Sequence, residues 1–200
     1  MTNNHYHHLA FGADALERQR ANGSYVAYGT HLERPDDGPD GLGSRELRMI
    51  AEATQFCLGT VTPTGWPYLQ YRSGPAGFVR HLGGNTLRFI DLPGNNQFVT
   101  LGNLAADDRL TMFFVDYPRK QRLKLFGRGT VHDGERREID IAVEAFDWNC
   151  SRSIIPRYDQ QYLSDLGKAY QEKAQAREAE LTAEIDTLRA RIAELEATRP

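Results

Sequence analysis

Four short stretches carry the residues able to hold a charged or planar ligand. In "FIDLPGNNQFVTLGNL" (Phe89 to Leu104) an apolar run stops at Asp91, and Gly94, Asn95, Asn96 and Gln97 follow. That pattern predicts a tight turn feeding a helix whose first residues are the amides, a place where unpaired N–H groups attract an anion. The plainer alternative is a capped helix start with no ligand. In "YLQYRSG" a strand would put Gln70 and Arg72 on one face and Leu69 and Tyr71 on the other. The polar pair is then either a set of donors or the solvated side of a half-buried strand. In "PRKQRLKLFG", Arg122 and Lys124 share a face, as a cationic wall or as charges that keep an edge strand from aggregating. In "FDWNCSRSIIPRY", Trp148 offers a flat surface, Asn149 an amide, Cys150 a thiol and Arg157 a cation. A reactive Cys150 needs a depressed pKa, and otherwise it is a small packed thiol; Trp148 as core packing is the parallel alternative.

The elements that must position these residues read as mainly β with flanking helices. "QFCLGTV", "WPYLQYR", "GFVRH", "TLRFID", "RLTMFFVDY" and "RLKLFGRGTV" predict six strands separated by Gly-containing turns, an antiparallel sheet closed into a barrel. They do not alternate with long helices, which argues against a doubly wound α/β sheet. "GADALERQRAN" predicts a short polar helix ended by Gly23, and "SRELRMIAEAT" another, with Ser44 as N-cap and Leu47, Ile50 and Ala51 on one face. Between them, residues 33–44 are rich in Pro, Gly and Asp and predict a surface loop, mobile or covering a site. Residues 135–147 read as helix, with Ile139, Val143 and Phe146 on one stripe.

From Asp159 the chain reads as helical to its end. Leu181, Ile185, Leu188, Ile192 and Leu195 are spaced four, three, four, three. With Ile at a and Leu at d, this is a two-heptad seam of the kind that favours two parallel strands. The alternative is an amphipathic helix packed on its own barrel. Residues 1–158 therefore read as one domain and 159–200 as a helical appendage.

Composition excludes several classes. The 200 residues are 40% hydrophobic and 26% charged, with a formal net charge of −3. That gives no electrostatic case for nucleic acid. No apolar run nears the roughly 20 residues of a membrane span, and the N-terminus lacks the layout of a secretory signal. Two cysteines, Cys57 and Cys150, make neither a disulfide framework nor a zinc spacing. A soluble cytoplasmic protein is the expectation. The "HYHH" cluster (His5, Tyr6, His7, His8) reads as a mobile terminal segment rather than a metal site.

The run from "GTVTPTGWPYLQYRSGPAGF" to "RLKLFGRG", with "LGNL" and "FDWNC" in the same order, resembles the pyridoxamine 5′-phosphate oxidase-related, FMN-binding split-barrel family. The resemblance covers about Ala10 to Tyr158. It implies a six-stranded split barrel, a homodimer, and FMN in clefts at the subunit interface. It places Gln70, Tyr71, Arg72, Ser73, Asp91, Gly94, Asn95, Asn96, Gln97, Arg122 and Lys124 around FMN. It places Trp148, Asn149, Cys150 and Arg157 near the ring or substrate. At the position of Asn96 the family usually has Arg, so this chain lacks one phosphate cation, which Arg72 is positioned to replace. Ser151 and Arg152 stand for the family's more usual Pro-Gln.

Two functions remain open at this stage. One is an FMN-dependent oxidoreductase acting on a small molecule, with NADH, NADPH or oxygen as redox partner. Pyridoxamine 5′-phosphate oxidation itself is disfavoured: Gln70, Asn95, Asn96 and Gln97 stand where those enzymes carry Arg and Lys, and the chain ends in "RARIAELEATRP". The other is a non-catalytic carrier of flavin (FMN or FAD), deazaflavin or haem, or an assembly module built on the terminal helix.

Overall fold

Seven antiparallel strands, not six, form one sheet in a computed structural model that describes residues 4–92, 94–148 and 152–197. They are β1 (Gln55–Val61), β2 (Pro67–Ser73), β3 (Val79–Gly83), β4 (Thr86–Ile90), β5 (Arg109–Asp116), β6 (Gln121–His132) and β7 (Glu138–Trp148). Their order is β2-β1-β5-β6-β7-β4-β3. The six expected strands are all present, and the seventh is the segment that reads as a helix.

The misreading has a physical cause. Phe126 pairs with Ala145 while Gly127 pairs with Val143, so Glu144 is an extra, bulged residue on β7. Before the bulge the core takes Ile139, Ile141 and Val143; after it, the core takes Phe146. A period of two interrupted by one inserted residue yields the spacing 139, 143, 146, which imitates a helical stripe. Opposite the bulge, a Cβ on Gly127 would lie 2.6 Å from the Ala142 carbonyl oxygen and 2.9 Å from Ile141 Cγ2. Gly127→Val is accordingly expected to lower stability by about 2–3 kcal/mol in urea unfolding. An unchanged midpoint would show that the bulge tolerates a side chain.

The sheet curls on itself. Phe56 of β1 packs edge to face on Phe89 of β4 with centroids 5.3 Å apart, although three strands separate β1 from β4 in the sheet. One core results, built from Phe56, Leu58, Leu87, Met112, Phe114, Leu123, Leu125, Ile139 and Ile141. β2 and β3 are the two sheet edges and do not pair with each other, so the barrel is split. Helix α3 (Ser44–Glu52) adds Met49 and Ile50 to the core. Its N-cap is Gly43 rather than Ser44, and the Gly43 N–H donates to Glu46 Oε2 at 3.0 Å. Helix α4 (Val99–Ala106) adds Leu104. Within α4, buried Asn103 Nδ2 donates to Thr60 Oγ1 at 2.8 Å.

The N-terminal segment is structured. Helix α1 (Asn4–Ala10) buries Tyr6, whose ring stacks on Phe126 at 5.3 Å. Helix α2 (Ala13–Asn22) ends at Gly23, which is left-handed at φ 81°. Two 3₁₀ turns follow, Ser24–Val26 and Gly29–Glu33. The Pro/Gly/Asp segment is pinned through Asp40, whose N–H donates to the Glu144 carbonyl at 2.8 Å and whose own carbonyl accepts from Asn85 Nδ2 at 2.8 Å. His5 pairs with Asp36 at 2.8 Å, and His7 stacks on His31 with centroids 4.3 Å apart. Among the described residues no group of three side chains is arranged to hold a metal.

Burial first, then the neighbouring His7 and Arg34, hold His31 below the usual histidine pKa. The unfolded chain therefore binds a proton more readily than the folded one in this range. The stabilisation is complete above about pH 6.5 and is lost as pH falls toward the lowered native value. Amide exchange in α1 is expected to accelerate on acidification below about pH 6.5. A flat profile would contradict the lowered pKa of His31.

A second compact unit begins at Arg157. It contains helix α5 (Gln160–Ala197), 38 residues long with none buried. Among the described residues no helix is long and apolar enough to cross a membrane.

Candidate functional site

The strand register explains how the site is assembled. Cross-strand partners point to the same face, and Phe56, Leu58 and Thr60 of β1 are buried in the core. Their partners on β2 are Arg72, Gln70 and Tyr68. The polar residues of this edge strand therefore face inward, toward the split. Leu69 and Tyr71, the apolar ones, face outward and are 68% and 57% exposed. This reverses the usual arrangement of a half-buried strand.

Across the split, Ile90 pairs with Glu138, which sets Asp91 beside Arg137. The Asp91 N–H donates to the Arg137 carbonyl at 2.9 Å. The Asp91 side chain, 8% exposed, lies between two guanidinium groups, Arg72 Nη1 at 2.8 Å and Arg137 Nη1 at 3.2 Å. The Arg72 contact is a charge contact without hydrogen-bond alignment, so Asp91 Oδ1 accepts no hydrogen bond among the described residues. Arg72 Nη2 donates to Thr100 Oγ1, on the first turn of α4, at 3.3 Å. Arg72 Nε is buried and donates to nothing among the described residues.

A cavity of about 730 Å³ opens here, within the size range of small-molecule sites. Arg72, Gln70 and Thr100 line one part of it, together with Gly94, Asn95, Asn96 and Gln97. Tyr68, Ile90, Phe98, Val99 and Leu101 supply apolar surface. The β6–β7 hairpin supplies Asp133, Glu135, Arg136 and Arg137. The lining carries three arginines (72, 136, 137) and three carboxylates (91, 133, 135), so its formal charge sums to zero. No broad positive field draws an anion in; a phosphate must be held by local donors.

The amide turn differs in detail from expectation. Helix α4 starts at Val99, so Asn95, Asn96 and Gln97 form the approach to the helix rather than its first turn. Asn95 Oδ1 accepts the Gln97 N–H at 3.2 Å, an Asx turn. Asn96 adopts φ 58°, a left-handed conformation that asparagine tolerates better than arginine does. Phe98, the N-cap of α4, is also left-handed at φ 53°, with its ring under the Arg137 guanidinium 5.2 Å away. A bulky residue in that region costs about 1–3 kcal/mol, and such strain collects at ligand sites.

Seven of the sequence-predicted site residues therefore line one cavity: Gln70, Arg72, Asp91, Gly94, Asn95, Asn96 and Gln97. Others lie elsewhere. Tyr71 is on the outer face of β2 and its hydroxyl donates to Gln55 Oε1 at 2.5 Å. Ser73 ends β2 outside the cavity lining. Lys124 donates to the Tyr6 hydroxyl at 2.7 Å and pairs with Asp147 at 3.3 Å. Arg122 shares the Lys124 face, and its buried Nε has no hydrogen-bond partner among the described residues. Trp148 packs against the core and donates to Glu46 Oε1 at 2.5 Å, with Arg45 over its ring. Arg157 belongs to the second unit. Asn149 and Cys150 lie outside the described residues.

Sequence reasoning missed Tyr68, Thr100, Arg136 and Arg137. The two arginines were concealed by the helical reading of residues 135–147. The Asp133-Gly134 pair was the available signal, a turn dipeptide that delivers "ERR" to the neighbourhood of Asp91 once β7 is read as a strand.

The family model described as pyridoxamine 5′-phosphate oxidase matches residues 45–191, and the chain belongs to that family. Its mainly antiparallel split barrel with flanking helices is the fold expected of a member. No curated protein matches the chain. Among solved structures it is similar to HupZ of Group A Streptococcus (13% identity, 58% of this chain and 99% of that one, TM-score 0.45). It is also similar to a protein from Lactobacillus delbrueckii described as a pyridoxamine 5′-phosphate oxidase (13%, 53% and 93%, TM-score 0.44). A third is an FAD-binding protein from Mesorhizobium loti (11%, 55% and 95%, TM-score 0.39).

Proposed function

We propose that the chain is an FMN-dependent oxidoreductase acting on a small molecule, with the phosphate held near Arg72 and Thr100 at the split of the barrel. The observation that carries this reading is the inverted polarity of β2, which sends an arginine and a glutamine inward beside a cavity of about 730 Å³. The residues present suit the group. The buried, unmatched Arg72 Nε–H is a donor waiting for an acceptor, and leaving it unmatched costs about 1–3 kcal/mol. Tyr68 and Phe98 supply the flat apolar surface an isoalloxazine needs, and Gln70 supplies an amide for its polar edge.

Bound FMN would supply reversible two-electron chemistry. The protein's part is binding, orientation and exclusion of water. Arg137 and Arg72 neutralise Asp91, so the carboxylate does not repel a phosphate. Arg136 makes no ion pair among the described residues and is a third cation on the cavity wall. The outward row of β2 suits a homodimer through the barrel. Leu69 and Tyr71 are 68% and 57% exposed, and Tyr71 continues in register through Cys57 to Phe113. Burying such a row against a second copy would give the apolar outer face a partner.

The test is an absorbance and fluorescence titration of the purified protein with FMN, followed by NADH or NADPH under anaerobic conditions. Binding with bleaching of the flavin band supports an oxidoreductase; binding without bleaching by either donor leaves a carrier; no binding removes the reading. In the same titration Asn96→Arg is expected to tighten FMN about tenfold through one added charge-assisted contact. The strain of arginine in a left-handed conformation is present with and without ligand, so it lowers stability rather than affinity. No gain in affinity would mean that the phosphate lies elsewhere.

A further inference from the structure

Helix α5 presents Leu181, Ile185, Leu188, Ile192 and Leu195 as exposed side chains, each at least 41% accessible. These five share one stripe of a helix that buries nothing, which leaves that stripe a face without a partner. We propose that the partner is the same segment of a second copy, paired as a parallel, in-register two-stranded coiled coil over about residues 181–196.

The charges beside the seam select this arrangement. With Ile185 and Ile192 at a and the three leucines at d, Glu184 and Arg191 occupy g, and Arg189 and Glu196 occupy e. In a parallel pair each g residue faces the e residue five positions on in the other helix. Glu184 then meets Arg189 of the second copy, and Arg191 meets Glu196 of the second copy. Both contacts are attractive and each occurs twice by symmetry. An antiparallel pair aligned on the same apolar residues matches only Glu184 with Arg191, and sets Arg189 against Thr182.

These groups are available. Arg191 lies 2.7 Å from Glu194 and Arg189 lies 3.7 Å from Asp186, both exposed pairs within one helix turn. Such pairs are weak and exchange readily. Glu184 and Glu196 make no ion pair among the described residues. The positions opposite the seam are Ala183 and Ala190, small residues that leave the outer face solvated. Two heptads are short for a free coiled coil. The isoleucine and leucine choice nevertheless specifies two strands, and any joining of the barrel units raises the tails' effective concentration toward millimolar.

The experiment uses the full chain with Cys57 and Cys150 changed to serine. Leu188→Cys places a thiol in the seam, and Ala190→Cys places one on the outer face. Under mild oxidation the Leu188→Cys chain is expected to form linked dimers at least about tenfold faster than the Ala190→Cys chain. Equal rates overturn the proposal, whatever mass the barrel units show. Glu184→Arg with Arg191→Glu is expected to slow the Leu188→Cys link about tenfold, and adding Arg189→Glu with Glu196→Arg to restore it. Insensitivity to the first pair overturns the parallel register. So does preferential linking in a mixture of Ile185→Cys and Leu188→Cys chains, the signature of an antiparallel pair.

Discussion

Replacing Arg72 with methionine is expected to weaken FMN binding roughly 30- to 150-fold, the equivalent of the 2–3 kcal/mol carried by a charge-assisted contact to a buried group. Methionine retains the stem that packs against β1 while removing every donor. The effect is large because Arg72 joins the two sides of the split. Its guanidinium contacts Asp91, beyond β4, and Thr100, on α4, while its backbone is paired in β2. The fold is expected to survive, since Asp91 keeps Arg137 at 3.2 Å and its backbone bond to the same residue. Fluorescence quenching of added FMN measures the affinity, and urea unfolding separates it from stability. A variant that unfolds no earlier and still binds FMN like the parent would remove Arg72 from the site.

Asp91→Asn is expected to move stability and affinity in opposite directions. Asp91 is 8% exposed and faces two arginines, of which Arg72 is 20% exposed. Removing one partner from a largely buried ion pair costs about 3 kcal/mol, because the remaining charges lose their counter-ion. Urea unfolding reads that loss. The same substitution takes the cavity lining from a formal charge of zero to +1, by removing one of its three carboxylates. A phosphate-bearing ligand should then bind at least as tightly as to the parent. Loss of both stability and FMN affinity would instead make Asp91 a contact to the ligand, and the two-arginine clamp would need another purpose.

Much of the fold was legible because its strands obey simple alternation. On β6, Leu123, Leu125 and Gly127 point inward and Arg122, Lys124 and Phe126 outward, as the pattern requires. β7 was illegible because the bulge at Glu144 shifts its period by one residue, and Ile139, Val143 and Phe146 then fall at helical intervals. That one inserted residue also hid the hairpin that carries Arg136 and Arg137. The N-terminal histidines read as a free end because nothing in the local sequence reveals that Tyr6 stacks on Phe126, 120 positions away. The site was legible where residues are close in sequence, as in Gly94 to Gln97. The ion pair that organises it was not, because Arg72 and Asp91 meet only when the sheet curls. The direction of β2 was also undetermined, since alternation separates two faces without saying which is inside. Here the polar face is inside, and that reversal marks the site.

The central claim, that local donors at the split recognise the phosphate of FMN, is tested most directly by titrating the unmodified protein with FMN and with riboflavin under one buffer. Riboflavin carries the same ring and lacks the phosphate. The expected result is saturable FMN binding with riboflavin at least about 100-fold weaker, the difference that charge-assisted phosphate contacts supply. Equal affinity for the two, or no binding of either, would contradict the account.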